Sequence, residues 1–146
     1  TVLRLRRHGV NARFEDLTGW GETAAQPLES VLAGRLARLD PGREMPIFTG
    51  YARCSEGLMS VYDRGYTEIT FSRLAALSGA AEAVIHKEYH LCTADPRLVG
   101  EDRVRPIGRT NYDVADQLSV LGMEAIHPGA AQALRRAGIP LRVRHS

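Results

Sequence analysis

The chain has very little lysine: Lys87 is its one lysine among 19 basic residues, and arginine supplies the rest of the positive charge. Set against 17 acidic residues, the formal net charge is only +2. A surplus that small gives no case for nucleic acid or an anionic membrane as partner. Cysteine is equally scarce. Cys54 and Cys92 do not stand at metal-ligand spacing and are too few for a disulfide scaffold,. Two reduced thiols in a cytoplasmic protein are expected. No apolar run reaches the length of a membrane-spanning helix,. The opening Thr1 to His8 has no uninterrupted apolar segment of signal-peptide length,. An initiator methionine is also lacking, and the chain is expected to be a fragment of a longer protein.

The common phosphate-binding signatures are missing too. There is no Gly-x-x-x-x-Gly-Lys loop, and no Gly-x-Gly-x-x-Gly follows a predicted strand,. Arg7-His8-Gly9 resembles the nucleophilic histidine of histidine phosphatases, and Gly19-Trp20 a second piece of some of them. Val10-Asn11 does not continue that motif, so a surface Arg-His before a turn is expected. His86 and His90 are four apart, but beyond a predicted strand end helical ligand spacing has no meaning,. No metal site is expected.

What is present is a βα alternation over 146 residues, enough for one domain with a true core,. Predicted strands are Val10 to Leu17, Pro46 to Tyr51, Glu82 to His86 and Pro140 to Arg144, with Leu58 to Tyr62 as a hairpin partner. Predicted helices are Pro27 to Leu39, Tyr66 to Ser78, Asn111 to Leu121 and Pro128 to Ala137. Gly79, Gly122 and Gly138 are expected to stop the last three. Val114, Leu118 and Leu121 recur at core spacing. Asp95-Pro96 has the form of a cap followed by proline in the first helical position. The expected fold class is α/β, a three-layer αβα sandwich with a mainly parallel sheet.

Two stretches carry chemistry. Tyr62-Asp-Arg-Gly-Tyr-Thr-Glu68 opens a helix, whose unpaired amides favour anions,. Arg64 adds a planar fork for a carboxylate or phosphate, and Glu68 a partner for an ammonium. The set suits a zwitterionic amino acid, and equally a capped helix with a solvated Arg-Glu pair. His86-Lys-Glu-Tyr-His-Leu-Cys-Thr-Ala-Asp-Pro-Arg97 follows a strand, where α/β sheets gather ligands,. Lys87 and Arg97 flank this turn and could neutralise a polyphosphate; a solvated loop with scattered charge fits as well.

Thr93-Ala-Asp-Pro-Arg-Leu-Val99 resembles the nucleotide-binding turn of aspartate kinases, usually Tyr-Thr-x-Asp-Pro-Arg. Arg64-Gly-Tyr-Thr-Glu68 sits where that family has Arg-Gly-Gly-Ser-Asp. Pro46 to Tyr51 matches a strand that usually ends Gly-Phe. Leu121-Gly-Met-Glu-Ala-Ile-His-Pro128 resembles Phe-Gly-Ala-Lys-Val-Leu-His-Pro. Order and spacing hold from about Val10 onward.

The resemblance implies the amino-acid kinase fold and transfer of the γ-phosphate of ATP, with Mg²⁺, to the β-carboxylate of L-aspartate. It puts Arg64 on the substrate α-carboxylate and Glu68 near its ammonium, with Thr67, Gly50 and Tyr51 lining that pocket. His86, Lys87, Cys92 and Arg97 would surround the nucleotide, and Asp95 would shape the turn. Mg²⁺ would enter with ATP rather than be chelated by this segment. Nucleic acid and membrane are not expected partners, and a homo-oligomer stays open.

Three departures are plain. His86 to His90 replace the family's Thr-Asp-Val-x-Gly, Cys92 replaces its tyrosine, and Glu124 replaces the lysine before His-Pro. Lys87 is a substitute for that missing lysine under this resemblance. Together with Gly108 to Gln117 these departures resemble the branch associated with ectoine biosynthesis. The family's opening Lys-x-Gly-Gly-(Ser/Thr)-Ser loop, its Gly-Glu segment and its ACT regulatory domains are absent from the sequence. Residues 1–146 are thus expected to be the larger, C-terminal part of a catalytic domain that is incomplete at its N-terminus and inactive alone. The alternatives are another carboxylate or carbamate kinase of the same fold, and a noncatalytic binding or assembly module on that scaffold.

Overall fold

The computed structural model describes residues 1–20, 26–62, 64–120, 123 and 126–145, the side chain of Ser119 aside. Asp63, Leu121, Gly122 and Glu124, each invoked above, lie outside the described residues.

Helix α1 (Val2–Arg7) leads into strand β1 (Ala12–Glu15). Helix α2 (Leu28–Leu36) and strand β2 (Met45–Phe48) follow. β1 and β2 pair in parallel, from Ala12 opposite Met45 to Glu15 opposite Phe48. Strand β3 (Ala83–Lys87) and strand β4 (Leu141–His145) form a second parallel pair, from Ala83 opposite Leu141 to Lys87 opposite His145. The described strands thus form two parallel pairs, which bears out the expected α/β class with parallel strands. Leu141 and Val143 face one side of β4, as the alternation requires,.

The span from Leu58 to Tyr62 corrects the expectation of a hairpin partner. It is one helical turn, α3 (Leu58–Val61). Gly57 opens it at φ +64, and Tyr62 N–H donates back to Leu58 O at 2.9 Å. A lone turn satisfies its own amides, whereas a strand here needs a neighbouring edge. Leu58, 2% exposed, anchors the turn in the core.

Helix α4 (Tyr66–Ser78) runs as predicted and stops at Gly79, whose φ of +63 suits glycine,. Its buried Thr70 and Ser72 donate their hydroxyls to Tyr66 O and Ile69 O, so neither polar group is orphaned,. Helix α5 (Pro96–Val99) precedes a 3₁₀ turn, Glu101–Arg103. Helix α6 (Tyr112–Val120) is capped by Asn111, which accepts from Val114 N–H at 2.9 Å. Val114 itself is 37% exposed, which corrects its assignment to the core. Tyr112 packs inward instead and donates to Ile139 O at 2.7 Å.

Helix α7 (Pro128–Arg136) lies along α4 so closely that a Cβ on Gly129 would stand 3.0 Å from Ile69 Cδ1. Leu17, Leu32, Leu58 and Leu134 are the largest apolar side chains fully buried. Each contributes about 1.5–3 kcal/mol of transfer free energy. The core they build with Ile69, Ile85 and Ile126 holds α4, α7 and β3 in register. Those three elements frame the cleft.

Candidate functional site

The first wall of the cleft is the start of α4. Gly65 caps it at φ +79 directly after Arg64, and Glu68 falls in its first turn. Glu68 ties three elements together. Its Oε1 accepts from Lys87 Nζ, the last residue of β3, at 2.6 Å. Its Oε2 accepts from the backbone N–H of His127, which caps α7. The His127 Nδ1 in turn accepts from Gly129 N–H at 3.1 Å, which assigns the neutral imidazole proton to Nε2,. Its ring stands edge-on to Tyr62 with centroids 5.3 Å apart.

The second wall is the turn after β3. Asp95 accepts from Arg97 N–H at 2.9 Å and so caps α5 ahead of Pro96,. The Arg97 guanidinium pairs with Glu88 and lies 5.9 Å from the centre of the Tyr89 ring. Backbone bonds pin the turn from outside: Thr93 N–H to Arg105 O at 3.0 Å, and Ile107 N–H to Leu91 O at 2.7 Å.

Between the walls lies a cavity of about 290 Å³. Arg64, Glu68, Lys87, Glu88, Asp95 and Arg97 all line it, with Met123 and Val143 supplying apolar surface. The cleft therefore sits at the carboxyl end of a parallel strand, where α/β folds bind ligands. Among the described residues its lining has three cations and three carboxylates. In the structure Lys87 rests on Glu68 and Arg97 rests on Glu88.

Of the residues singled out in the sequence, Arg64, Glu68, Lys87, Asp95 and Arg97 come together on this cavity. Gly50 and Thr67 meet beside it, since a Cβ on Gly50 would stand 2.6 Å from Thr67 Oγ1. Tyr51 turns its ring edge-on to Tyr66, 6.1 Å away. Neither those three residues, nor His86, nor Cys92 line the cavity. His86 is exposed next to Lys87, where strand alternation sends its side chain to the other face,. Cys92 is buried opposite Pro106, and burial pushes its thiol up, so it stays neutral,.

Glu88, Tyr89 and Val143 line the cleft but were assigned no role from the sequence. Glu88 and Tyr89 stand in the polar stretch already quoted, where alternating charge was a usable signal. Val143 was reachable through the strand register alone, and nothing local marks Met123. Among the described residues, no group of three or more His, Cys, Asp or Glu side chains is placed to hold a metal ion.

Parallel strand pairs flanked by helices, with a polar cleft at a strand end between Arg64 and Arg97, define an α/β domain. The chain belongs to the amino acid kinase family, which it matches over residues 3–145. It is 59% identical over 146 residues to "Aspartate kinase Ask_Ect" of Stutzerimonas stutzeri, covering 100% of this chain and 31% of that protein. It is 30% identical over 159 residues to the aspartokinase of Candida albicans, covering 97% of this chain and 29% of that protein. Among solved structures it resembles E. coli aspartokinase III in complex with aspartate and ADP, at a TM-score of 0.69 and 20% identity. That likeness covers 99% of this chain and 34% of the other, and it supports the fold. The chain thus spans about a third of the length of the relatives it matches.

Proposed function

We propose that this chain is the substrate- and nucleotide-binding part of an aspartate kinase catalytic domain. The reaction is transfer of the γ-phosphate of ATP to the β-carboxylate of L-aspartate, giving 4-phospho-L-aspartate. The observation that carries this reading is geometric: Arg64 and Arg97 open onto one cavity. The 59% identity to an aspartate kinase over the whole chain supports it. The name of that relative, together with the departures around Lys87, favours the ectoine-biosynthesis branch.

In this reading Arg64 receives the α-carboxylate of aspartate and Glu68 its ammonium, with Gly50, Tyr51 and Thr67 behind that end. Lys87 and Arg97 face the phosphates, His86 and Cys92 lie behind them, and Asp95 holds the turn. The acceptor carboxylate, with a pKa of about 3.9, is already ionised at neutral pH, so no general base is required. The obstacle is repulsion. Two unit charges about 4 Å apart cost roughly 4 kcal/mol at an effective dielectric near 20. Cationic side chains offset this, and Mg²⁺ entering with ATP supplies further charge neutralisation at the β- and γ-phosphates. Positioning of the two anions supplies much of the rest. No described helix is long and apolar enough to cross a membrane. That observation and the two free thiols fit a cytoplasmic setting.

The test is L-aspartate-dependent release of ADP by the longer protein that carries these residues, with the acyl phosphate trapped by hydroxylamine as its hydroxamate. Arg64→Ala should raise the KM for aspartate roughly 10–100-fold, the worth of a hydrogen-bonded charge. Preference for N-acetylglutamate or UMP as acceptor would move the chain to another kinase of the same fold. Binding of ADP without turnover of any acceptor would make it a binding module.

A further inference from the structure

We propose that the Glu68–Lys87 ion pair is a partner-exchange element coupling the two ends of the cleft. An ammonium-bearing ligand arriving at Glu68 releases Lys87 to a phosphate at the Arg97 end, so the amino acid and the nucleotide bind cooperatively. The inference rests on the reading of the cleft as an amino-acid site joined to a nucleotide site.

The two partners are not equally mobile. Glu68 is fixed through its Oε2 by the His127 amide, and that amide belongs to the N-cap residue of α7. Lys87 holds Glu68 through one bond to Oε1, on a flexible four-carbon stem with three donors,. When a second cation reaches Glu68, the carboxylate stays and the lysine moves. The pair is open enough for this, with side chains 32% and 20% exposed, and both residues line the cavity.

Charge balance points the same way. Among the described residues, the cavity lining carries three cations and three carboxylates, so these residues offer a polyphosphate no net positive charge while Lys87 stays on Glu68. A substrate ammonium at Glu68 Oε1 would sit against the Lys87 ammonium, and like charges that close repel. Lys87 relieves the repulsion by swinging toward incoming phosphate oxygens. Lys87 is the one lysine in the sequence, and arginine's rigid fork is less suited to changing partners,. By thermodynamic reciprocity, each ligand then tightens the other by the same factor.

The experiment is calorimetric titration of the longer protein that carries these residues with ADP in MgCl₂, with and without saturating L-aspartate, and the reverse titration. In the unaltered protein aspartate should tighten ADP about tenfold, within the usual range of such couplings, and ADP should tighten aspartate equally. Lys87→Met should bring the coupling near onefold while binding aspartate at least as tightly, because Glu68 is then unoccupied. Lys87→Arg keeps the charge and should retain a smaller coupling. It also serves as the folded control should Lys87→Met lose its melting transition. A purely structural role for the bridge would instead weaken both ligands together in Lys87→Met. That result, or an unchanged coupling in Lys87→Met, overturns the proposal. Independent binding of both ligands to the unaltered protein overturns it while leaving the kinase reading intact. Binding of neither overturns both.

Discussion

The α-carbon of Gly65 lies against the imidazole of His127, so that a Cβ added there would stand 2.7 Å from His127 Cδ2. The same residue has φ +79, a conformation that side-chain-bearing residues adopt only under strain,. Two independent constraints thus meet at the cap of α4, beside Arg64. The ring has little room to retreat, because Gly129 N–H donates to it and the Tyr62 ring stands perpendicular against it.

Gly65→Ala should therefore destabilise the protein by about 2–4 kcal/mol, combining left-handed strain with overpacking. It should also turn the first residues of α4, so aspartate affinity falls further than ADP affinity. Chemical denaturation and paired titrations check the two effects.

Arg13 and Glu15 give a second test. Glu15 is only 4% exposed, and Arg13 Nε meets it at 2.6 Å. Arg13→Ala leaves that carboxylate buried without its cation, an expected loss of about 2–4 kcal/mol. Adding Glu15→Gln should restore part of it. Urea unfolding of both variants decides, and an unchanged midpoint in Arg13→Ala would contradict the pairing.

Glu56 caps α2 from 28 residues away, both of its oxygens accepting from Leu28 N–H at 3.0 Å. Burial raises its pKa, but the amides of Leu28 and Glu56, the Cys54 thiol and the Ser55 hydroxyl outweigh that. The carboxyl is held below its ordinary value of 4.5,. Its contribution is therefore complete above pH 4.5 and is lost as the pH falls through the lower folded value,. Because Glu56 is exposed, solvent screening keeps that contribution to no more than about 1 kcal/mol. In Glu56→Gln the acid-side decline of melting temperature should be shallower than in the unaltered protein.

Cys54 and Cys92 are both buried, and burial pushes both thiols up. A neutral, covered thiol is a poor nucleophile. Native protein should react with a thiol reagent at pH 8 far more slowly than denaturant-unfolded protein, which should release two equivalents. Immediate reaction of either cysteine under native conditions would contradict its burial.

Much of the fold was legible in local patterns. The apolar periodicity between Tyr66 and Gly79 marked α4 to the residue, because a helix needs only its own face and a stop. Asp95-Pro96 announced a cap that forms as written. The stretch from Leu58 to Tyr62 was not legible, because four to five apolar-rich residues fit a strand or a turn equally. The bond from Tyr62 N–H back to Leu58 O and the burial of Leu58 are what the structure shows in its place. Val114 failed likewise: its spacing was right, but the face of α6 that turns inward is the one bearing Tyr112.

The sequence alone determined the charges that face the cleft, the helix starts that hold them and the glycines that let the backbone pass. Each depends on residues within one or two turns of chain. Tertiary structure alone decided which charge meets which. Glu68 is 19 residues from Lys87 and 59 from the His127 amide, yet it touches both. No local rule joins them, because such contacts exist only once α4, β3 and α7 have closed on a common core.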